Sequence, residues 1–482
     1  MMPRLDPARD NTTLTTMSLN VLLISTYEMG RQPFGLASPA AWLREAGAYV
    51  ECVDLAVDAF PDAAVRAADL IAFYVPMHTA TRLAVDALHQ ARRVNPTAHV
   101  CFYGLYAPEN EDYLRSLGVD TLIGGEFEAG LVTLARNLVA EQAPADIPLV
   151  SLNRQAFRVP DRAGLPALDR YARLEVGDGT ERIVGYVEAT RGCKHQCRHC
   201  PIVPVYNGRF RLVQRDVVLA DIRQQVAAGA QHITFGDPDF FNGPGHAIPI
   251  LEALHAEWPG LSYDVTIKVE HLLKHADLLP TLKRSGCLFI TSAVEAFDAH
   301  ILALFDKQHT REEFETVLRL CDVAGLQLIP TFVAFTPWTT LDGYRDFLAE
   351  IARLGLVERV APIQYAIRLL IPPGSRLLEL DETRAVIDGL DQARLSYTWR
   401  NPDPQVDALQ HDLERLAQSS VGRRLSRRAF FERAWARAHQ GSPDLALAAL
   451  AVEAVATLPP PPLPPMPLTA VAVPRLSEPW FC

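Results

Sequence analysis

The sequence has no apolar run long enough to span a bilayer. Its opening residues, MMPRLDPARDNTTLTTMSLN, contain no apolar stretch of signal-peptide length. Both absences point away from an exported or membrane-embedded protein. Basic charge is short as well: 46 Lys and Arg against 57 Asp and Glu leave a formal net charge of −11. General affinity for nucleic-acid phosphates or an anionic membrane needs the opposite balance. Cysteine is scarce, with 8 in 482 residues. Five of them, Cys52, Cys101, Cys287, Cys321 and Cys482, are dispersed, as Cys101 is in the apolar run HVCFYG. A buried cysteine there acts as a small hydrophobe, not as part of a disulfide framework. A reduced, cytoplasmic protein is the expectation. A hydrophobic content of 49% with 21% charged residues is ordinary for globular chains, and the length allows two to four domains.

Residues 1–17 read as a disordered lead-in. From 18 to 140, apolar strand candidates (NVLLIST, VECVDLA, LIAFYVP, HVCFYGL and DTLIGGE) alternate with amphipathic segments such as TATRLAVDALHQARRV. That pattern predicts a parallel sheet covered on both faces, a doubly wound domain of flavodoxin-like type. Ligands on such sheets bind beyond the C-terminal strand ends, here STYEMGRQPFG, PMHTA and GLYAPEN. Residues 141–180 read as a connector with several prolines. Strand and helix alternation then restarts over 181–375, with strands predicted at IVGYVEAT, HITFGD, SYDVTIKV, CLFITSAVE, QLIPTFVAF and PIQYAIRLL. Six βα units predict a (β/α)6 partial TIM barrel with its chemistry at the C-terminal strand ends. The fold class is therefore α/β, two such domains followed by a helical region at 376–456. At 457–482 comes a proline-rich segment, LPPPPLPPMP, which no helix or central strand tolerates. It predicts an extended tether carrying a short tail.

The remaining cysteines are concentrated in TRGCKHQCRHCP, just past the first barrel strand. Cys193, Cys197 and Cys200 follow a C-x3-C-x2-C spacing, with His195 and His199 between them. A structural zinc site usually draws four ligands from two separated pairs, and the second pair is missing. A disulfide would leave an odd thiol in a reducing compartment. Three thiolates at this spacing suit a [4Fe–4S] cubane with one iron left open. The two histidines read first as loop residues exposed or stacked beside the site.

In this context the cysteine run resembles the radical S-adenosylmethionine superfamily. The resemblance implies that Cys193, Cys197 and Cys200 hold a [4Fe–4S] cluster whose open iron chelates S-adenosylmethionine. Reductive cleavage then yields a 5′-deoxyadenosyl radical, with the electron supplied by a flavodoxin or ferredoxin partner. Carried strand by strand, it marks further cofactor-binding candidates. In FGDPDFFNG these are Gly236, Asp237 and Asp239, although the superfamily's Gly-Gly-Glu is absent. Lys268 in TIKVE is a candidate for the cofactor carboxylate or for a solvated strand end. Glu295 in TSAVEAF is a candidate for the ribose hydroxyls or the amine. In YAIRLLIPPGS, Arg368 points either to the cofactor carboxylate or to a salt bridge.

A flavodoxin-like domain ahead of such a barrel is similar to the cobalamin-binding subgroup, as is VDTLIGGEFE. The subgroup's D-x-H-x-x-G motif is missing, and His78 in VPMHTATR is the nearest histidine, so the resemblance allows cobalamin without marking a lower ligand. The barrel segments CPIVPVYNGRFR and HITFGDPDFFNGPGHA, with the proline tether, also resemble a radical family named for a Cys-Cys-Ala-Glu-Pro or Cys-selenocysteine-Ala-Glu-Pro tail. The expectation is that a UGA codon after Cys482 encodes selenocysteine, making this a selenoprotein with a redox-type tail. Together these readings imply a radical enzyme, with methyl transfer through cobalamin as one mode, acting on a small-molecule or peptide substrate. The rivals are an iron–sulfur or corrinoid redox sensor without turnover and a methylthiotransferase-like modifier.

Overall fold

The computed structural model describes residues 18–142, 147–177, 179–439, 463 and 473–477. The first sheet comprises β1 (Asn20–Ser25), β2 (Tyr49–Asp54), β3 (Leu70–Tyr74), β4 (His99–Tyr103), β5 (Thr121–Gly125) and the short β6 (Val150–Ser151). They run in the order β2-β1-β3-β4-β5-β6, and every pairing is parallel. This is the doubly wound order, with the switch point between β1 and β3. Alternate residues of one strand feed separate cores. Leu23, Ala72 and Cys101 pack on one face with Leu36 and Leu43 of the helix Phe34–Glu45. Leu22, Ile71 and Phe102 pack on the other with Ala84 and Leu88 of the helix His78–Val94. Two apolar faces per strand explain why these runs read as nearly continuous hydrophobic segments.

The second sheet contains β7 (Arg173–Glu175), β8 (Glu181–Val187), β11 (His232–Phe235), β12 (Ser262–Thr266), β13 (Cys287–Glu295), β14 (Gln327–Phe332) and β17 (Arg475–Leu476). β9 (Thr190–Gly192) and β10 (Phe210–Leu212) form a separate antiparallel pair beside it. Five strands, β8 and β11 to β14, are parallel and make a curled half-barrel. β7 and then β17 extend it antiparallel past β8.

The sixth barrel unit is reduced. PIQYAIRLL forms a single helical turn at Pro362–Tyr365 and one parallel bridge, Phe335 to Arg368. Pro362 lacks an N–H for a ladder, and the Gln364 side chain takes the place of a strand by accepting from the Phe332 amide at 2.7 Å. The region 376–456 also departs from the all-helical expectation. Helices do form at Pro404–Gln418 and Arg427–His439, but a hairpin of β15 (Ile387–Asp391) and β16 (Ser396–Trp399) precedes them. Ile387, Tyr397 and Trp399 are good strand formers that pack on Leu369 and Ile371.

The expected tail shows one ordered contact, β17 against β7, with the Ser477 amide donating to the Arg173 carbonyl at 2.8 Å. Residues 440–462, most of the proline-rich segment, and Cys482 lie outside the described residues. Among those described, no helix is long and apolar enough to cross a membrane.

Gly125, at the end of β5, controls how the first sheet meets the barrel. Its φ is +71°, and a Cβ there would lie 2.2 Å from the Ser151 carbonyl of β6. Glycine alone permits both the left-handed turn and the close β6 pairing that aim Glu126 at the barrel. Gly125→Ala is expected to cost at least about 1–3 kcal/mol, read as a lower midpoint in urea unfolding of the full chain.

Candidate active site

The cysteine loop starts where β9 ends. Gly192 turns the chain at φ +73°, and a Cβ there would meet the Tyr206 ring at 2.3 Å. Cys193 and Cys197 are buried and Cys200 is half-buried. The Cys200 amide donates to the Cys197 carbonyl at 3.1 Å, curling the loop on itself. Burial pushes the Cys193 thiol up to about 11 and the Cys200 thiol up to about 12, with the neighbouring cysteines adding to both. A bound metal or cluster would be what keeps these sulfurs as thiolates. Asn242 anchors the loop by accepting from the Lys194 amide at 3.3 Å, and Lys194 Nζ donates to the Asn242 carbonyl at 3.2 Å.

The candidate cofactor residues fall into two groups. Lys268 and Glu295 converge on the loop. Lys268 is buried, its Nζ 3.5 Å from Cys197 Sγ and 3.7 Å from Glu270 Oε2. Glu295 ends β13 beside a bulge with φ +70°, an unusual backbone state for a non-glycine residue. Its Oε1 lies 3.1 Å from His199 Nε2 and 3.5 Å from Lys307 Nζ. Burial by itself would raise this carboxyl, but Lys307 and His199 outweigh it and hold it at about 2.

The other four have structural partners. Gly236 makes room for Tyr186, whose hydroxyl would lie 1.8 Å from a Cβ. Asp237 accepts from the Thr190 hydroxyl at 2.6 Å and the Ala189 amide at 3.0 Å, bracing the turn before the cysteines. Burial raises it to about 7 despite those bonds. Asp239 caps the turn at Phe240–Asn242 and lies 2.6 Å from His271 and 3.3 Å from His195. Burial would raise it, yet the two histidines hold it at about 2. Arg368 donates to Asp407 at 2.6 Å, and its guanidinium covers the Trp399 ring at 3.4 Å.

Both loop histidines face carboxylates. His195 puts Nε2 toward Asp239 and Nδ1 toward Glu270, at 3.3 and 3.4 Å, and its ring packs 4.6 Å from that of His271. His199 stacks on Phe305 at 4.4 Å with its Nε2 on Glu295. A Cys3His zinc set would have to break one of these pairs, whereas three sulfurs left to a cluster fit the loop as it stands. His271, Glu270, Lys307 and Asn242 carry no motif; only folding brings them here.

Residues of the first sheet complete the site. Arg191, two residues before Cys193, meets Glu128 at 2.7 Å, Glu188 at 2.7 Å and Glu126 at 3.3 Å. All four side chains are buried or nearly so, and the guanidinium also packs on the Phe34, Phe127 and Phe157 rings. Glu126 and Glu128 come from GGEFE, where the sequence carried a resemblance but no partner. Glu109, beyond β4, packs against Gly374, and neither of its carboxyl oxygens has a hydrogen-bond partner among the described residues. Burial raises it to about 8. His78 turns Nε2 onto the Arg394 carbonyl of the β15–β16 hairpin at 2.6 Å.

Residues 187–355 match the model of the Radical SAM superfamily. The hopanoid C-3 methylase of Methylococcus capsulatus is 24% identical over 322 residues, covering 64% of this chain and 62% of that protein. The chain thus spans less than two thirds of that relative's length. The cobalamin-dependent S-adenosylmethionine radical enzyme OxsB, solved with aqua-cobalamin and S-adenosylmethionine, superposes with a TM-score of 0.64 at 16% identity, over 85% of this chain and 68% of OxsB. The radical S-adenosylmethionine methyltransferase TsrM from Kitasatospora setae, solved with cobalamin and a [4Fe–4S] cluster, gives 0.59 at 17%, over 86% of this chain and 99% of TsrM. At such identities these two speak for the fold alone. Over residues 187–355 the chain therefore carries a domain similar to the Radical SAM superfamily. A domain of that kind implies a [4Fe–4S] cluster and S-adenosylmethionine as cofactors.

Two outcomes test this geometry. Arg191→Met strands three buried carboxylates, and breaking such a set is expected to cost about 3–5 kcal/mol. Arg191→Lys should restore only part of that in urea unfolding, because an ammonium lacks the planar fork that meets several carboxylates at once. Glu109 holds its proton to about 8 when folded, against an ordinary 4.5. Between those values the folded chain binds the extra proton, so stability falls as pH rises. Glu109→Gln should therefore gain on the parent between about pH 5 and about pH 8 in urea unfolding.

Proposed function

We propose that the chain is a radical S-adenosylmethionine enzyme whose cluster is held by Cys193, Cys197 and Cys200, and that it carries out cobalamin-supported methyl transfer. The approach of Lys268 to Cys197 and of Glu295 to His199, both within the cysteine loop, supports the reading. When bound, the cluster and S-adenosylmethionine supply reductive cleavage of a carbon–sulfur bond, and cobalamin supplies a carrier for the methyl group.

The protein's part is to position and to exclude water. Glu295, kept ionised by Lys307 and His199, offers carboxylate oxygens to cofactor hydroxyls or to an ammonium group. Lys268 places its Nζ 3.5 Å from Cys197 Sγ, where it would offset the negative charge a cluster adds on reduction. Asp237, Asp239 and Gly236 act here as positioning residues that shape the loop through Thr190, the histidines and Tyr186. Arg368 holds the C-terminal region to the sixth unit. A flavodoxin or ferredoxin is the natural donor for such a buried cluster.

Cobalamin has its place between the strand ends of the first sheet and the barrel. The two-domain arrangement shared with OxsB and TsrM supports this, as does the packing of Glu126 and Glu128 onto the cysteine loop. His78 is already engaged by Arg394, so the corrinoid would bind without a histidine below the cobalt.

Anaerobically reconstituted protein given a reductant and S-adenosylmethionine should show cluster absorbance and form 5′-deoxyadenosine or, with cobalamin, S-adenosylhomocysteine. Alanine at any one of the three cysteines should abolish both the absorbance and the product. An intact cluster with neither product, across added substrates and cobalamin, would instead support a sensor.

A further inference from the structure

The concave side of the half-barrel encloses a cavity of about 460 Å³ that none of the cofactor candidates line. Thr291 of β13 is on its wall. Thr291 precedes Glu295 by four residues, so this part of the wall lies about 13 Å down the strand from Glu295, toward the N-terminal ends.

The charge of this cavity is opposite to that of the chain. Five arginines line it, Arg31, Arg359, Arg423, Arg427 and Arg475, against two carboxylates, Glu175 and Asp264. Both carboxylates are committed. Glu175 pairs with Arg475 at 2.5 Å. Asp264 accepts from the Thr234 hydroxyl at 2.6 Å and meets His232 Nε2 at 2.8 Å.

The guanidinium groups are not matched in return. Arg359 is 8% exposed, and its Nη2 donates to Asp322 at 2.9 Å. Its Nε and Nη1 are buried with no hydrogen-bond partner among the described residues, and Arg31 Nε is in the same condition. Arg427 donates to the Glu358 carbonyl at 2.5 Å, a neutral acceptor. Burial and the adjacent Arg475 both work against its charge. Arg359 thus meets Asp322 through one nitrogen only, and buried guanidinium N–H groups left without acceptors call for an anion. An apolar strip of Phe289, Ile329, Pro330, Ile363 and Leu425 makes up part of the remaining wall, beside Thr291, Thr331, Gln364 and Ser477.

We propose that this cavity binds an amphipathic organic anion, its carboxylate or phosphate held by Arg359 and Arg427 and its apolar body lying along Phe289 and Ile329. In the proposed radical enzyme this ligand is the class of substrate or effector the barrel receives. The site itself rests on the arginines and does not require the cluster.

Isothermal titration of the full chain with decanoate, decyl phosphate and decanol tests it. At least one of the two anions should bind at one per chain and at least tenfold more tightly than decanol, and the tighter one identifies the head group. Arg359→Gln and Arg427→Gln should each weaken that anion by about tenfold or more, the value of one charge-assisted hydrogen bond, and leave decanol unchanged. Arg423→Gln, at an exposed position with no ion pair among the described residues, guards against a folding defect and should weaken the anion while leaving the unfolding midpoint unaltered. Decanol binding as tightly as both anions would overturn the proposal. So would no anion binding, or variants that fold and bind the anion like the parent. The chain with Cys193, Cys197 and Cys200 all changed to alanine should bind the anion undiminished. That result separates this site from the radical chemistry, since either can fail while the other stands.

Discussion

The pairing of Arg191 with Glu126, Glu128 and Glu188 is the constraint on which the rest of the structure depends. One cation is shared by three carboxylates, and two of those carboxylates belong to the first sheet. A charge buried alone would be severely penalised, so neither half of the molecule can present its share stably without the other. The residue sits two positions before Cys193, and the same guanidinium packs on Phe34, Phe127 and Phe157. It therefore fixes the cysteine loop, the first sheet and the connector relative to one another. The charges respond to one another accordingly. Burial raises Glu126 to about 7 with Arg191 opposing it, while Arg191 and the hydrogen bonds from Ser38 and Gln155 overcome the same burial at Glu128 and lower it.

Around the loop the same logic recurs at smaller scale. Several ionisable groups around the three sulfurs are tied to opposite partners: Lys268 to Glu270, Glu295 to Lys307 and His199, Asp239 to His195 and His271. Such pairing holds side chains in one rotamer in a site from which water is largely excluded, a condition that controlled radical chemistry needs. The lower half of the barrel breaks the pattern. There the arginines outnumber their partners, and an apolar wall faces them.

Much of this was legible along the chain. Five of the six strands of the first sheet and the five parallel strands of the barrel announced themselves as largely apolar runs, because strands covered on both faces must be apolar throughout. The cysteine spacing marked the candidate site. The sixth strand misled, because IQYAIRLL has strand composition while Pro362 and the reach of Arg368 to Asp407 disrupt its ladder. The hairpin β15–β16 was hidden in a region whose composition favours helices. The bond of β17 to β7 spans some three hundred positions and has no local signature.

By itself the sequence determined the class of fold and the loop that would hold a cluster, since both are local: hydrophobic period and ligand spacing are properties of neighbouring residues. Tertiary structure alone decided which charges meet. Arg191 finds Glu126 across 65 positions and Lys268 finds Cys197 across 71. Asp237 and Arg368, equal candidates beside Glu295 in the sequence, become a brace and a strut once folded. Charge interactions depend on distance through space and on burial, and neither quantity is written in the order of residues.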